Sequence, residues 1–150
     1  KVIFLMRDPI DRAWSHARMV LNKKNQEFTS SNMRAILDHE ACRARSDYIQ
    51  ILNAWRRRYP SEQIFLGYFE DLKSQPEHLL LQLFKFLGVE ASPTHISDDV
   101  RQVVHPSIAS PIPKTIARHL SVSYLPMLRE LAQEVGGHTT SWLERAEARV

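Results

Sequence analysis

The chain of 150 residues lacks the features that define several large classes of protein. Its one cysteine, Cys42, excludes an intrachain disulfide and a cysteine-rich zinc site. No run approaches the roughly 18 apolar residues of a membrane-spanning helix, and there is no internal repeat or low-complexity segment. The seven histidines are scattered, without a pair at helical ligand spacing beside a carboxylate. We therefore expect no metal site.

The sequence also lacks a strong excess of charge of either sign. Its 20 basic and 17 acidic residues give a formal net charge of +3. A mild basic excess suits a small anionic ligand better than a nucleic acid, which is bound by clustered lysine and arginine. The tight basic runs, Lys23-Lys24 and Arg56-Arg57-Arg58, are explained by solvated helix faces. The composition is that of a globular protein, and the length suits one domain.

What the sequence does contain is a strong local pattern at its beginning. Five apolar residues, Val2 to Met6, are followed at once by Arg7, Asp8 and Pro9, and then by helical spacing. The apolar run predicts a strand of a parallel sheet that is covered on both faces. Asp8 is predicted to cap the next helix, with Pro9 at its first position, where a missing N–H costs nothing.

The predicted helix after Pro9 has an apolar stripe at spacings of three and four. The stripe consists of Ile10, Ala13, Trp14, Ala17 and Leu21. Ser15 lies off this stripe, on the face that it shares with Asp11 and Arg18. The guanidinium of Arg7, free N–H groups at the helix N-terminus and the Ser15 hydroxyl together predict a phosphate-binding site. The alternative is that Arg7 is a surface residue and Ser15 a neutral helix position.

Periodicity along the chain predicts strand, helix, helix, strand and helix, an order typical of α/β proteins. The elements after the first helix are a helix capped by Ser31 or Asn32 that runs through Ala41, a helix over Tyr48 to Trp55 that Tyr59-Pro60 ends, a strand over Gln63 to Phe69, and a helix over Pro76 to Leu87 that Gly88 ends.

Residues 92–113 differ in kind from the segments before them. They contain four prolines and little periodicity, which predicts a long loop or lid. His105 lies in this segment and is a candidate to approach a bound substrate, with a structural or solvated histidine as the alternative. Helical spacing returns from Ile116 to Val135, Gly136-Gly137 ends that helix, and Trp142 is expected to dock the tail.

Three segments resemble motifs of the sulfotransferases that use 3′-phosphoadenosine 5′-phosphosulfate (PAPS). The first, Val2 to Ser15, is similar to the family's 3′-phosphate motif, a strand followed by Arg-(Asn/Asp)-Pro and then a serine. The second, Ile64 to Leu72, resembles the Tyr-Glu-Asp-Leu strand end, and Phe86-Leu87-Gly88 follows it. The third begins at His105-Pro106 and resembles the C-terminal stretch of the carbohydrate and bacterial branches. The resemblance spans nearly the whole chain.

The resemblance implies which residues bind the cofactor. In that family an arginine and the serine eight residues later bind the 3′-phosphate, and they match Arg7 and Ser15. Phe69 stands where many members have a tyrosine that contacts the adenine, so stacking could survive but the hydroxyl hydrogen bond could not. Arg101 matches the lysine of a Lys-Gly-Arg loop, which implies a further phosphate contact. Its neighbours do not match that loop, so a surface arginine is the alternative.

The resemblance also implies a fold and an activity. The fold is α/β, with a partial parallel sheet like that of P-loop NTPases, flanked by helices and lacking the N-terminal phosphosulfate-loop unit. We expect residues 1–150 to be the C-terminal part of a single sulfotransferase domain, because the family's phosphosulfate loop and catalytic base precede the first motif. The implied reaction moves a sulfuryl group from PAPS to a hydroxyl or amine of a small-molecule or carbohydrate acceptor. No catalytic residue is assigned within the chain.

Two other functions remain open at this point. One is a non-catalytic interaction module, whose apolar helices pack against a partner. The other is a nucleotide-binding or phosphoryl-transfer enzyme of related fold. The residues of the first motif resemble those of bacterial members, which are mostly cytoplasmic, so the resemblance implies a cytoplasmic location. The alternative is the Golgi lumen, where the carbohydrate-modifying members are found.

Overall fold

The computed structural model describes residues 1–103 and 110–150. These residues form two strands and eight α-helices, an α/β arrangement that confirms the predicted fold class. The elements are β1 (Val2–Met6), α1 (Pro9–Lys23), α2 (Ser30–Leu37), α3 (Glu40–Ala44), α4 (Tyr48–Arg56), β2 (Ile64–Tyr68), α5 (Phe69–Ser74), α6 (Pro76–Leu87), α7 (Lys114–Val135) and α8 (His138–Glu147). No helix in the described ranges is both long and apolar enough to cross a membrane.

The chain divides into two compact units. The first, which we call the strand unit, consists of Lys1–Arg7 and Ala54–Ser110. The second, the helical unit, consists of Asp8–Asn53 and Pro111–Val150. The boundary passes between Arg7 and Asp8, so the predicted phosphate motif is divided between the two units.

In the strand unit, β1 and β2 pair in parallel, in a register that runs from Val2↔Ile64 to Met6↔Tyr68. Gly67 is buried opposite Leu5, and a Cβ atom at this glycine would lie 2.5 Å from Leu5 Cδ2. The absence of a side chain at Gly67 therefore lets Leu5 lie across the neighbouring strand.

The prediction that β1 is covered on both faces is wrong for the described residues. Ile3 is 44% exposed and Leu5 is 54% exposed, whereas Met6 is buried. A continuous apolar run cannot by itself distinguish a strand covered on both faces from a strand covered on one.

After β2 the structure has a helix that was not predicted, α5, and then the predicted helix, α6. The strand ends one residue before Phe69, which begins α5. The next helix, α6, begins at Pro76 and ends at Gly88, whose φ of 82° is in the left-handed region that glycine adopts without strain. The rings of Phe65 and Phe86 lie 5.4 Å apart and pack α6 against β2.

The helical unit contains most of the core. The predicted stripe of α1 is buried as expected, together with Leu128 and Leu131 of α7 and Trp142 of α8. Trp142 has no exposed surface, and its ring centroid lies 6.4 Å from that of Tyr48. Docking of the tail by Trp142 is confirmed, but the tail is a helix, which the sequence analysis did not predict.

The predicted helix from Ser31 or Asn32 through Ala41 is wrong at both ends. The cap of α2 is Thr29, whose hydroxyl accepts from the Asn32 N–H, and the helix ends at Leu37. A separate helix, α3, then begins after His39, whose ring Nδ1 accepts from the Ala41 N–H at 3.2 Å. The break occurs because His39 adopts an extended backbone and caps the new helix.

The predicted lid is described only in part. Its first half contains two 3₁₀ turns, Pro93–His95 and Asp98–Arg101, each preceded by a serine whose hydroxyl accepts from a turn N–H. His105 and Pro106 lie outside the described residues.

Candidate functional site

The carboxyl ends of β1 and β2 bring two predicted site residues together. Because Met6 pairs with Tyr68 in the parallel register, the next residues along each strand are Arg7 and Phe69. The guanidinium carbon of Arg7 lies 4.8 Å from the centroid of the Phe69 ring, which is a cation–π contact. In α/β sheets, the carboxyl end of parallel strands is where ligands bind.

A second cation contacts the same ring. Lys73 Nζ lies 4.7 Å from the Phe69 centroid. Lys73 was not predicted as a site residue, although its position four residues after Phe69 is the spacing that brings side chains together on a helix. We call Arg7, Phe69 and Lys73 the strand-end cluster. It gathers two positive charges around one aromatic ring, so an anion bound there would offset their mutual repulsion.

The tyrosine before Phe69 is held in its neutral form. Burial raises the pKa of the Tyr68 hydroxyl above its usual value, and the nearby carboxylates of Asp71 and Glu70 raise it further. The Tyr68 hydroxyl, a hydrogen-bond donor at neutral pH like that of any tyrosine, therefore keeps its proton to a higher pH.

The N-terminus of α1 differs from the prediction in one respect. Asp8 caps the helix as predicted, and its Oδ1 accepts from the N–H groups of Ile10 at 2.8 Å and Asp11 at 3.3 Å. The Arg12 N–H donates to the Asp8 carbonyl at 2.9 Å, and Pro9 has no N–H. The expectation of free N–H groups at this helix N-terminus is therefore wrong, since the cap uses them.

The capping carboxylate has a second partner that sequence reasoning missed. Asp8 is 1% exposed, and its Oδ2 accepts from Arg145 Nη2, in the last turn of α8, at 3.0 Å. This ion pair offsets the negative charge of Asp8, the residue that follows Arg7. No spacing rule connects residues so far apart in sequence, so only the structure could reveal the pair.

Ser15 lies on α1 as predicted. It is partly exposed and is not among the buried residues of the helix. Its side chain is therefore partly accessible at the surface of the helical unit, while Arg7 belongs to the strand unit.

Arg101 lies against a carboxylate. Its Nε and Nη2 donate to the two oxygens of Glu77 at 2.6 and 3.0 Å, and its side chain is 71% exposed. The Glu77 pKa is lowered mainly by a hydrogen bond from its own backbone N–H. Burial opposes this shift, and Arg101 lowers the pKa further. A phosphate at Arg101 would have to compete with this bidentate pair.

The donor types of these residues suit a phosphate group. A guanidinium, an ammonium and a hydroxyl are the usual phosphate donors in proteins. Arg7 and Lys73 supply the first two in the strand unit, and Ser15 supplies a hydroxyl in the helical unit. In residues 1–103 and 110–150, no group of three or more histidine, cysteine, aspartate or glutamate side chains could hold a metal ion.

Comparisons with known proteins identify the family of the chain and a similar fold. A family model described as "Sulfotransferase family" matches residues 1–93. Among solved structures, the crystal structure of a sulfotransferase from Alicyclobacillus acidocaldarius is similar, with a TM-score of 0.66 and 19% identity. The similarity covers 95% of this chain and 57% of that chain, so this sequence spans a little over half of that protein. At this identity the likeness shows the fold alone. No curated protein matches the sequence.

Proposed function

The chain belongs to the sulfotransferase family, and on that premise we propose that it supplies the 3′-phosphate-binding half of a PAPS-dependent sulfotransferase site. Residues 1–150 are then the C-terminal part of one sulfotransferase domain. The acceptor is a hydroxyl or amine on a small molecule or carbohydrate, and the compartment is the cytoplasm.

The strand-end cluster is the observation that carries this proposal. A 3′-phosphate needs concentrated positive charge, and Arg7 and Lys73 both lie within 5 Å of the Phe69 centroid. The N–H groups in the first turn of α1 are taken by Asp8. Recognition of the phosphate therefore depends on side chains rather than on the helix N-terminus.

Each residue of the proposed site has a distinct part. Arg7 and Lys73 pair with the phosphate charge, and the Ser15 hydroxyl donates a hydrogen bond to it. Phe69 holds the two cations in place and offers an apolar surface to the adenine, without the hydroxyl that a tyrosine would bring. Arg101 is a further phosphate contact that must leave Glu77 to bind.

PAPS, when bound, supplies an activated sulfuryl group at its 5′ end. The residues named here would act on the 3′ end, away from the transferred group. They contribute affinity and orientation rather than bond-making. The arrangement resembles phosphoryl transfer, in which positioning and charge stabilisation contribute most of the rate.

The test is calorimetric titration with 3′-phosphoadenosine 5′-phosphate, using this chain and a form extended upstream. We expect the extended form to bind, and Arg7→Ala to lower its affinity about 10- to 100-fold, as loss of a charged hydrogen-bonded pair does. Lys73→Ala should have a smaller effect. Arg57→Ala, an exposed arginine of the same unit, is the matched control and should leave the affinity unchanged.

The outcomes separate the three functions considered. Unchanged affinity in Arg7→Ala would overturn the assignment of the phosphate site. Absence of binding by either form would favour a non-catalytic interaction module. A phosphoryl-transfer enzyme is distinguished by the upstream sequence, which would hold a Walker-type loop instead of a phosphosulfate loop.

A further inference from the structure

The helical unit contains a pocket whose lining includes none of the residues assigned above. It has a volume of about 530 Å³ and is lined by residues of α1, α2 and α3 and by the segments that connect them. Pockets that bind small molecules usually have volumes of about 300 to 1,000 Å³. Its lining combines an apolar wall, which includes Val20 and Ile36, with four basic side chains and no carboxylate. The basic side chains are His16, Lys24, His39 and Arg45.

Positive charge converges on this pocket. His16 is partly buried in its wall, and Arg12 and Arg45 both lie close enough to lower its pKa, after the larger effect of burial. Arg12 donates to neutral partners, the Ser46 hydroxyl at 2.6 Å and the Cys42 carbonyl at 2.8 Å. Because both partners are neutral, these contacts do not offset the charge of Arg12. Because Cys42 lines the pocket, the positive charge of Arg12 lies next to a residue of the pocket wall.

The hydrogen bonds around the rim leave a donor for a ligand. His39 Nδ1 accepts from the Ala41 N–H, so the proton of the neutral ring is on Nε2, where it can be donated. Asp38 precedes His39, and its carboxylate is engaged by His119 Nε2 at 2.6 Å. A ligand in the pocket would therefore face donors and positive charge on one side and apolar surface on the other.

We propose that this pocket binds a small organic anion: an apolar body that carries one sulfate, sulfonate or carboxylate group. The anionic group pairs with Arg45 and Lys24, and the apolar body packs against Val20 and Ile36. His16 and His39 complete the rim as hydrogen-bonding groups. This site does not rest on the proposed PAPS function, because none of its residues belongs to the 3′-phosphate site.

The first experiment is calorimetric titration of the full chain with phenyl sulfate and with phenol, which share the ring and differ in the charge. We expect phenyl sulfate to bind at least about 10-fold more tightly than phenol. Arg45→Gln should lower the phenyl sulfate affinity about 10-fold. Arg43→Gln, two residues earlier and outside the pocket lining, is the matched control and should bind as the unaltered chain does.

The second experiment locates the bound anion by proton NMR of the histidine rings. Phenyl sulfate should shift the ring signals of His16 and His39 and leave those of His78 and His119, which are outside the pocket lining. If Arg45→Gln does not fold, as judged by circular dichroism, Lys24→Gln replaces it. Equal affinities for phenol and phenyl sulfate, equal losses in Arg43→Gln, or an unmoved His16 signal would each overturn the proposal.

Discussion

The two units of the chain distribute burial and chemistry differently. Among the described residues, the strand unit contributes only Met6, Pro76 and Leu79 to the buried apolar side chains. The helical unit contains all the others, including the fully buried Trp142 and Leu128. Yet the strand unit holds the strand-end cluster, whose two cations share one aromatic ring.

This difference indicates which unit contributes most to stability and which presents the proposed phosphate-binding side chains. Stability depends mainly on apolar area removed from water, so it should depend mainly on the helical unit. The proposed recognition of the nucleotide phosphate depends instead on charged side chains that can reach a ligand, and the strand unit presents Arg7 and Lys73 at its strand ends. Substitutions of the same chemical kind should therefore have very different effects in the two units.

Leucine-to-alanine substitutions test this contrast most strongly. Leu128→Ala, at a fully buried position of α7, should lower the free energy of unfolding by about 2 to 5 kcal/mol because it leaves a cavity. Leu5→Ala, at a position of β1 that is 54% exposed, should change it by about 0.5 kcal/mol or less. Urea unfolding of the two variants measures both values. Similar losses would show that the strand unit is as tightly packed as the helical one.

The adjacent residues Arg7 and Asp8 sharpen the comparison at the boundary. Asp8→Ala removes the helix cap and the partner of Arg145, so we expect a loss of about 2 kcal/mol in unfolding free energy. Asp8→Asn should lose less, because an amide oxygen can still cap the helix. Arg7→Ala should cost about 1 kcal/mol or less in stability while it weakens binding of the nucleotide. If Arg7→Ala costs as much stability as Asp8→Ala, Arg7 has a structural role.

Much of this organisation is predictable from sequence, and the reasons are local. Asp8-Pro9 and the apolar stripe predict α1 because capping and spacing act within a few residues. Arg7 and Phe69 follow two apolar runs, and parallel pairing brings the ends of such strands together. Lys73 could have been predicted from its spacing to Phe69.

What the sequence could not predict depends on distant or unusual contacts. The pair of Asp8 and Arg145 joins residues at opposite ends of the chain. The break between α2 and α3 depends on a histidine ring that caps a helix. The start of α8 follows Gly137, which has no side chain to mark a cap. The exposure of Ile3 and Leu5 depends on what covers the sheet, and the apolar run itself carries no such information.

Gly88 tests whether the backbone conformation at the end of α6 contributes to the stability of the strand unit, which has few buried side chains. Gly88 ends α6 with a φ of 82°, and its N–H donates to the carbonyls of Phe84 and Lys85. Gly88→Ala should lower the free energy of unfolding by about 1 kcal/mol, because alanine is strained in this region. Gly67→Ala is the comparison, since its added methyl group meets the end of the flexible, exposed Leu5 side chain. Thermal unfolding of both should show whether backbone strain or the steric contact costs more.

The smallest expected effect is a difference in how the two units respond to acid. His16, in the helical unit, has its pKa lowered by burial and then by Arg12 and Arg45. As pH falls below its usual value of 6.5, the unfolded chain takes up this proton before the folded one does, so stability decreases. Glu77, in the strand unit, has its pKa lowered from 4.5, so its stabilising contribution is lost only as pH falls below that value.

As pH falls, the titration of His16 should therefore lower the free energy of unfolding before the titration of Glu77 does. Between pH values of about 7.5 and 5.5, His16→Gln should lose less unfolding free energy than the unaltered chain, while Glu77→Gln should lose the same amount as the unaltered chain. Urea unfolding at the two pH values measures the difference. If the unfolding free energy of His16→Gln falls as steeply with pH as that of the unaltered chain, the acid-sensitive group is not His16. If phenyl sulfate also reduces the decline, the anion compensates the same positive charge that lowers the His16 pKa, which would connect this titration to the pocket.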